Sequence, residues 1–156
     1  IACFSLHPLK NLNACGDGGI ITCNNARWSD SVNLLRNHGL VDRDHVEIWG
    51  YCSRLDTLQA AILLSRLESL SEIERARRDN AAFYHERLEE YVAVPRAGVG
   101  EHHVYHTYII QTDRRDELAV YLKERGISAK VHYPVPIHLQ KAAGYLGYQR
   151  GDLPKT

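Results

Sequence analysis

Asp56-Thr57-Leu58-Gln59-Ala60-Ala61-Ile62-Leu63-Leu64-Ser65-Arg66-Leu67 opens the most regular stretch of this 156-residue chain. Asp56 followed three residues later by Gln59 is a capping-box pattern. Apolar residues then recur at helical spacing through Leu70, Ile73, Ala76, Phe83 and Leu88, and no proline intervenes before Pro95. About 30 residues of helix at about 1.5 Å each span about 45 Å, longer than a small globule is wide. Such a helix joins two lobes or packs against a partner chain. The expected organisation is therefore α/β, in two lobes divided near residue 50 and joined by the helix.

Upstream, Ile1 to Leu6 reads as a short buried strand, ended at His7-Pro8 because the residue before proline avoids the helical region. Gly16-Asp17-Gly18-Gly19 reads as a turn, followed by the β-branched run Ile20-Ile21-Thr22 and a second turn at Asn24-Asn25. A helix is expected from Ser29 or Asp30 to His38, stopped by Gly39. Downstream, Val104 to Gln111 reads as a strand, Asp116 to Arg125 as a helix closed by Gly126, and Ile127 to His132 as a further strand. This β-α-β run implies a small α/β lobe, followed by a loop rich in proline and glycine.

Composition narrows the function classes. Nineteen basic and nineteen acidic side chains balance, and a pI near 7.3 gives no basic footprint for nucleic acid. No apolar run approaches the roughly 20 residues a membrane span needs. Ile1-Ala2-Cys3-Phe4 has no charged segment of the signal-peptide kind. Both ends read as cut, so the chain is expected to be an internal piece of a longer protein. Cys3, Cys15, Cys23 and Cys52 form no CxxC pair. They are expected to be free thiols in a reduced, cytoplasmic setting, each serving as a small buried hydrophobe.

Several residues could carry chemistry. Lys10 lies just past a strand, between Pro8 and a glycine-rich turn, where a lysine amine can act as a nucleophile if its surroundings favour the neutral form. An ordinary surface lysine is the plainer alternative. Gly16-Asp17-Gly18-Gly19 matches neither a P-loop nor a dinucleotide fingerprint, so a hairpin turn is favoured over an anion cradle. His102 and His106 would stand about 13 Å apart on a strand, and His103 would face the other way. That spacing does not make one zinc site, which needs nitrogens about 2 Å from the metal. No metal is expected, and these histidines read as structural. His132-Tyr133-Pro134-Val135-Pro136-Ile137-His138 is a loop stiffened by two prolines after a strand, suited to a polar ligand. Arg54, just before the helix cap, could meet a phosphate or carboxylate, or be a solvated charge.

Taken in order, three segments resemble the DegT family of sugar aminotransferases, pyridoxal phosphate enzymes of fold type I. The family pattern Ser-x-x-x-x-Lys-x-Leu followed by Gly-Asp-Gly-Gly is met by Ser5, Lys10, Leu12 and Gly16–Gly19. Gly50-Tyr51-Cys52-Ser53-Arg54 is similar to the family's Gly-Tyr-Asn-x-Arg segment that opens a long helix. Val131-His132-Tyr133-Pro134 through His138 is the third match. The resemblance covers essentially the whole chain. It implies residues 1–50 as the end of a large cofactor-binding domain, 51–95 as a bridging helix and 96–156 as a truncated small α/β domain.

The resemblance also implies roles. Lys10 would bind pyridoxal 5′-phosphate as a Schiff base and move protons during transfer. Ser5 would bond the cofactor phosphate, and so would Cys52, which stands where the family has asparagine and is a poor hydrogen-bond donor. Arg54, from a neighbouring subunit of a homodimer, would meet the substrate; His132, Tyr133 and His138 would line its sugar pocket. The amine would pass from an amino acid, typically glutamate, to a nucleotide-linked keto sugar. The family's aspartate for the pyridinium nitrogen and its ring-stacking residue lie upstream of this chain. A non-enzymatic cofactor-binding sensor on the same scaffold, a dehydratase relative and an inactive fragment are the alternatives. The dehydratase branch carries histidine in place of Lys10, which counts against it.

Overall fold

A computed structural model describes residues 1–156. The element order is β1 (Ala2–Ser5), β2 (Gly19–Thr22), α1 (Ala26–Arg36), α2 (Thr57–Glu68), α3 (Leu70–Leu88) and α4 (Arg115–Glu124). Two short 3₁₀ segments, Ile137–Leu139 and Lys141–Leu146, follow α4. The chain divides into two compact units, Ile1–Ile110 and Gln111–Thr156. Within the first unit, the loop between β1 and β2 and residues 102–106 are fastened to the helices α2 and α3.

Within Ile1–Ile110, β1 and β2 pair antiparallel in the register Ala2↔Thr22 to Ser5↔Gly19. The Leu6 N–H extends the ladder to the Gly18 carbonyl at 2.8 Å. Gly16–Gly19 is thus not a tight hairpin turn but the closing limb of a long loop that carries Lys10. β1 is not buried: Phe4 is 54% exposed, and Ile20 and Ile21 opposite are exposed too, because no element of this chain packs on the ladder. The buried core lies in the loop instead, where Leu6, Ala14 and Leu63 meet, flanked by Leu12 and Leu55.

α1 starts three residues before the predicted Ser29, because the Asn25 side chain accepts the Trp28 N–H at 3.2 Å. It stops at Arg36, with the Gly39 N–H closing on the Leu34 carbonyl at 2.8 Å. Gly39 has φ +73°, and a Cβ there would come within 1.7 Å of the Ile48 carbonyl oxygen. A Cβ on Gly50 would lie 2.4 Å from the Gly39 nitrogen. Two glycines facing each other let residues 48–52 cross the end of α1. The crossing is sealed by His38 N–H to Tyr51 O, Tyr51 N–H to Leu35 O and Ser53 N–H to Arg36 O.

The long helix is two helices. The ladder is interrupted at Ser69 (φ −95°, ψ 0°), whose N–H reaches back only three residues to the Arg66 carbonyl, a tightened 3₁₀-type turn. The capping box does not form either: Asp56 makes no side-chain cap, and the Gln59 carbonyl accepts the Cys15 N–H at 2.8 Å. The side chain that would close the box holds the Lys10 loop instead.

Neither predicted strand of the second lobe forms. Residues 104–106 give their carbonyls to side chains, Val104 to Asn11 and Tyr105 and His106 to Arg77, and no strand of this chain lies beside Ile127–His132 to pair with it. Strand propensity without a ladder partner leaves extended coil. In Gln111–Thr156, α4 ends as expected: Gly126 (φ +74°) and Ile127 donate to the Lys123 and Leu122 carbonyls at 3.0 and 2.9 Å, the Schellman pattern. Three of the four cysteines, Cys3, Cys15 and Cys52, are exposed free thiols rather than buried hydrophobes. They lie on the uncovered ladder, the loop and the crossing segment. No helix is long and apolar enough to cross a membrane.

Candidate active site

The loop between β1 and β2 presents Lys10. Pro8 and the Lys10 N–H to His7 carbonyl bond (2.9 Å) fold it into a turn, and Asn13 Nδ2 ties it to the Pro8 carbonyl at 2.8 Å. On the far side, Ala14 N–H returns to the Leu6 carbonyl at 2.9 Å. The loop is bolted to α2 by Gln59, by the Arg66–Asn13 bond and by the apolar contact of Leu6 and Ala14 with Leu63. A Cβ on Gly18 would meet Leu55 Cδ1 at 3.0 Å, and one on Gly19 would meet the Phe4 carbonyl oxygen at 3.2 Å. Gly18 thus lets the loop lie against Leu55 before α2, and Gly19 lets the ladder close on β1.

Lys10 is half-buried, and its Nζ stands 3.3 Å from Nε2 of His106. Asn11, its neighbour, donates from Nδ2 to the Val104 carbonyl at 2.9 Å. Arg77 on α3 donates to the carbonyls of Tyr105 and His106 at 3.0 and 3.2 Å. Residues 104–106 are therefore clamped from two sides beside the lysine. Tyr105 has φ +41°, a left-handed conformation that costs an L-residue about 1–2 kcal/mol. It is held there by Arg77 and by stacking on His103, His85 and Tyr108. Burial, with the nearby Tyr105 second, pushes the Tyr108 phenol above its ordinary value, and its hydroxyl is buried without a hydrogen-bond partner.

Ser5 ends β1, exposed, with Oγ accepting the His7 N–H at 3.4 Å. Ser5 thus ends the strand that leads into the loop carrying Lys10. Cys52 sits in the segment that crosses α1, bridged to Asn37. Arg54 follows it, exposed, with no ion pair. Neither residue bonds to Lys10 or Ser5, although Leu55, next to Arg54, packs on the loop core. In the second unit His132 and Tyr133 are exposed and meet edge-on at 5.2 Å, and His138 packs edge-on to Tyr148 at 6.1 Å. Shallow hollows flank α4, lined by Thr112–Glu117 and by Ala119–Ala129, and take in none of these residues. His102, read as structural, contacts Arg78 Nη1 at 2.5 Å. No group of three His, Cys, Asp or Glu side chains is close enough to hold a metal ion.

His106, read from the sequence as a structural histidine, instead lies against Lys10. Its signal was absent locally, because the contact joins positions 96 residues apart.

The sequence matches the model of the DegT/DnrJ/EryC1/StrS aminotransferase family over residues 1–156. The chain belongs to that family. It is 42% identical over 159 residues to a pleiotropic regulatory protein of Geobacillus stearothermophilus, covering 99% of this chain and 43% of that one. It is 40% identical over 142 residues to the UDP-N-acetyl-3-dehydro-alpha-D-glucosamine 3-aminotransferase of Acidithiobacillus ferrooxidans, covering 90% of this chain and 38% of that one. The crystal structure of S. venezuelae DesV in complex with a ketimine intermediate superposes with a TM-score of 0.94 at 36% identity, over 99% of this chain and 42% of that one. The chain spans about two fifths of the length of the relatives it matches. The α/β fold is that of part of a fold-type-I aminotransferase.

The donor set suits the cofactor of such an enzyme. A half-buried primary amine held by an imidazole, on a loop that begins at a serine hydroxyl, fits an aldehyde that also carries a phosphate.

Proposed function

We propose that this chain carries the lysine half of the active site of a pyridoxal-phosphate-dependent aminotransferase acting on a nucleotide-linked keto sugar. The observation that carries the reading is the Lys10 amine, half-buried on a loop bolted to α2 and held by His106. Pyridoxal phosphate, when bound, supplies the electron sink for amine transfer. Lys10 would hold it through Nζ and would carry protons during amine transfer. Ser5 Oγ would hydrogen-bond its phosphate. Cys52 stands where a stronger donor would be expected, and its thiol adds little to phosphate binding. Arg54, His132, Tyr133 and His138 serve the substrate, the guanidinium meeting an anionic group and the rings packing on the sugar. Residues 1–50 close the larger domain of the whole protein. Glutamate is the proposed amine donor, and a cytoplasmic homodimer the proposed assembly, with Arg54 serving the neighbouring subunit.

The test is spectroscopic. The protein at full natural length, mixed with pyridoxal phosphate, develops the absorption band of a lysine Schiff base, and Lys10→Ala abolishes it. An unchanged spectrum in the native protein rejects the reading.

One observation favours a second reading. A 42% identical relative is named a regulatory protein, so a cofactor-binding regulator on the same scaffold is the rival. The two separate on turnover: an aminotransferase exchanges amine between glutamate and a keto sugar over many cycles, whereas a regulator binds cofactor without turnover.

A further inference from the structure

We propose that His106 is a positioning residue that aims the Lys10 amine, a role that rests on the cofactor-binding reading above. The Lys10 side chain is long and flexible, and a free one samples many rotamers. Here Nζ is fixed by the 3.3 Å contact with His106 Nε2. The contact holds when one nitrogen donates and the other accepts, as when the Lys10 side chain donates to an unprotonated Nε2. The histidine is itself held by its backbone. Asn11, adjacent to Lys10, takes the Val104 carbonyl, and Arg77 takes the carbonyls of Tyr105 and His106. The strained φ of Tyr105, directly before His106, turns the chain at this point, and strain of that kind persists only where the surroundings over-determine it. The Lys10 loop and α3 thus both grip the segment that places one imidazole against one amine. A surface lysine needs no such support.

The chemistry that tests this is condensation. The Lys10 amine adds to the aldehyde of pyridoxal phosphate, the C=N bond forms and one water leaves. Borohydride then adds hydride to that bond and makes the adduct permanent, so mass spectrometry of the Lys10 peptide reads the rate. A second reaction, acylation of the cofactor-free protein by acetic anhydride, reads only whether the amine is free and reachable. His106→Ala in the full-length protein is expected to slow condensation at Lys10 about tenfold, since one well-aimed hydrogen bond has about that effect, while acylation does not slow. His106→Gln keeps a hydrogen-bonding group at the position and retains most of the native condensation rate. Asn11→Ala leaves both side chains intact but frees the Val104 carbonyl, and slows condensation several-fold even if His106→Ala fails to fold. Native-rate condensation in His106→Ala overturns the inference. So does an equal loss of both reactions, which marks a structural collapse of the loop. If the native protein forms no adduct at Lys10, the cofactor reading falls and the inference with it; an adduct indifferent to His106 removes the inference alone.

Discussion

The loop that bears Lys10 and the loop that bears His132, Tyr133 and His138 are held in opposite ways. The first is tied to α2 through Gln59, Arg66 and the Leu6–Ala14–Leu63 contact, and to residues 104–106 through Asn11 and Lys10 itself. The second is exposed from Val131 to Val135 and is held mainly by Gln140 Nε2 on the Val135 carbonyl and a single 3₁₀ turn. The difference separates two duties of a site. A group that forms a covalent bond must be kept within a fraction of an ångström of its target. Groups that recognise a substrate can settle when it arrives, and loops on a scaffold commonly supply them.

That contrast can be broken most forcefully at Leu6, which is 2% exposed. Leu6→Ala is expected to lower unfolding stability by about 2–3 kcal/mol, measured by urea titration, and to weaken cofactor binding along with it. A stable variant with a normal Schiff-base band would show that the loop does not depend on its core. A smaller effect is expected at Gln59→Leu, which removes the partner of the Cys15 N–H while keeping helix propensity. It should cost about 1 kcal/mol and slow condensation at Lys10, although it is remote from the amine. Smaller still in stability is His132→Ala on the exposed loop, within about 0.5 kcal/mol of the native protein. Its effect should fall on the sugar: KM for the keto sugar rises while kcat changes little, the sign of lost uniform binding.

The least effect is expected at Tyr108→Phe. Its phenol is pushed above the ordinary value chiefly by burial, so the folded state keeps that proton at a pH where the unfolded chain has released it. Stability from this group is present below about pH 10, the unfolded value, and is lost as pH rises through the folded value. Phenylalanine removes that alkaline loss and also the buried hydroxyl that lacks a partner. Thermal melts between neutral pH and pH 11 should show the variant no less stable than the native protein at neutral pH, with the gap widening at the alkaline end.

What the sequence made legible followed local rules. The helices at 26–36, 57–68, 70–88 and 115–124 were announced by periodicity and by Gly39 and Gly126, because those signals act within a turn or two of the chain, although the break at Ser69 was not. Strands 104–111 and 127–132 were misread because strand propensity states only what a segment could pair with, not that a partner is there. Asp56 and Gln59 had the right letters for a capping box, but the Gln59 amide had a better-placed donor 44 residues away at Cys15. Ser5, Lys10, Cys52, Arg54 and the His132 loop were found through family resemblance rather than local physics. His106 escaped both routes: on a strand it would have been one of three scattered histidines, and only the left-handed turn at Tyr105 and the Arg77 clamp bring it to Lys10.

The Gln59 crossbar also carries a mechanical consequence. It makes the first turn of α2 and the loop around Lys10 move as one piece, so a push on the helix is delivered to the amine without any reactive group between them. Engineers who graft a different helix onto this scaffold would then be adjusting the aim of Lys10, whether or not they touch the loop.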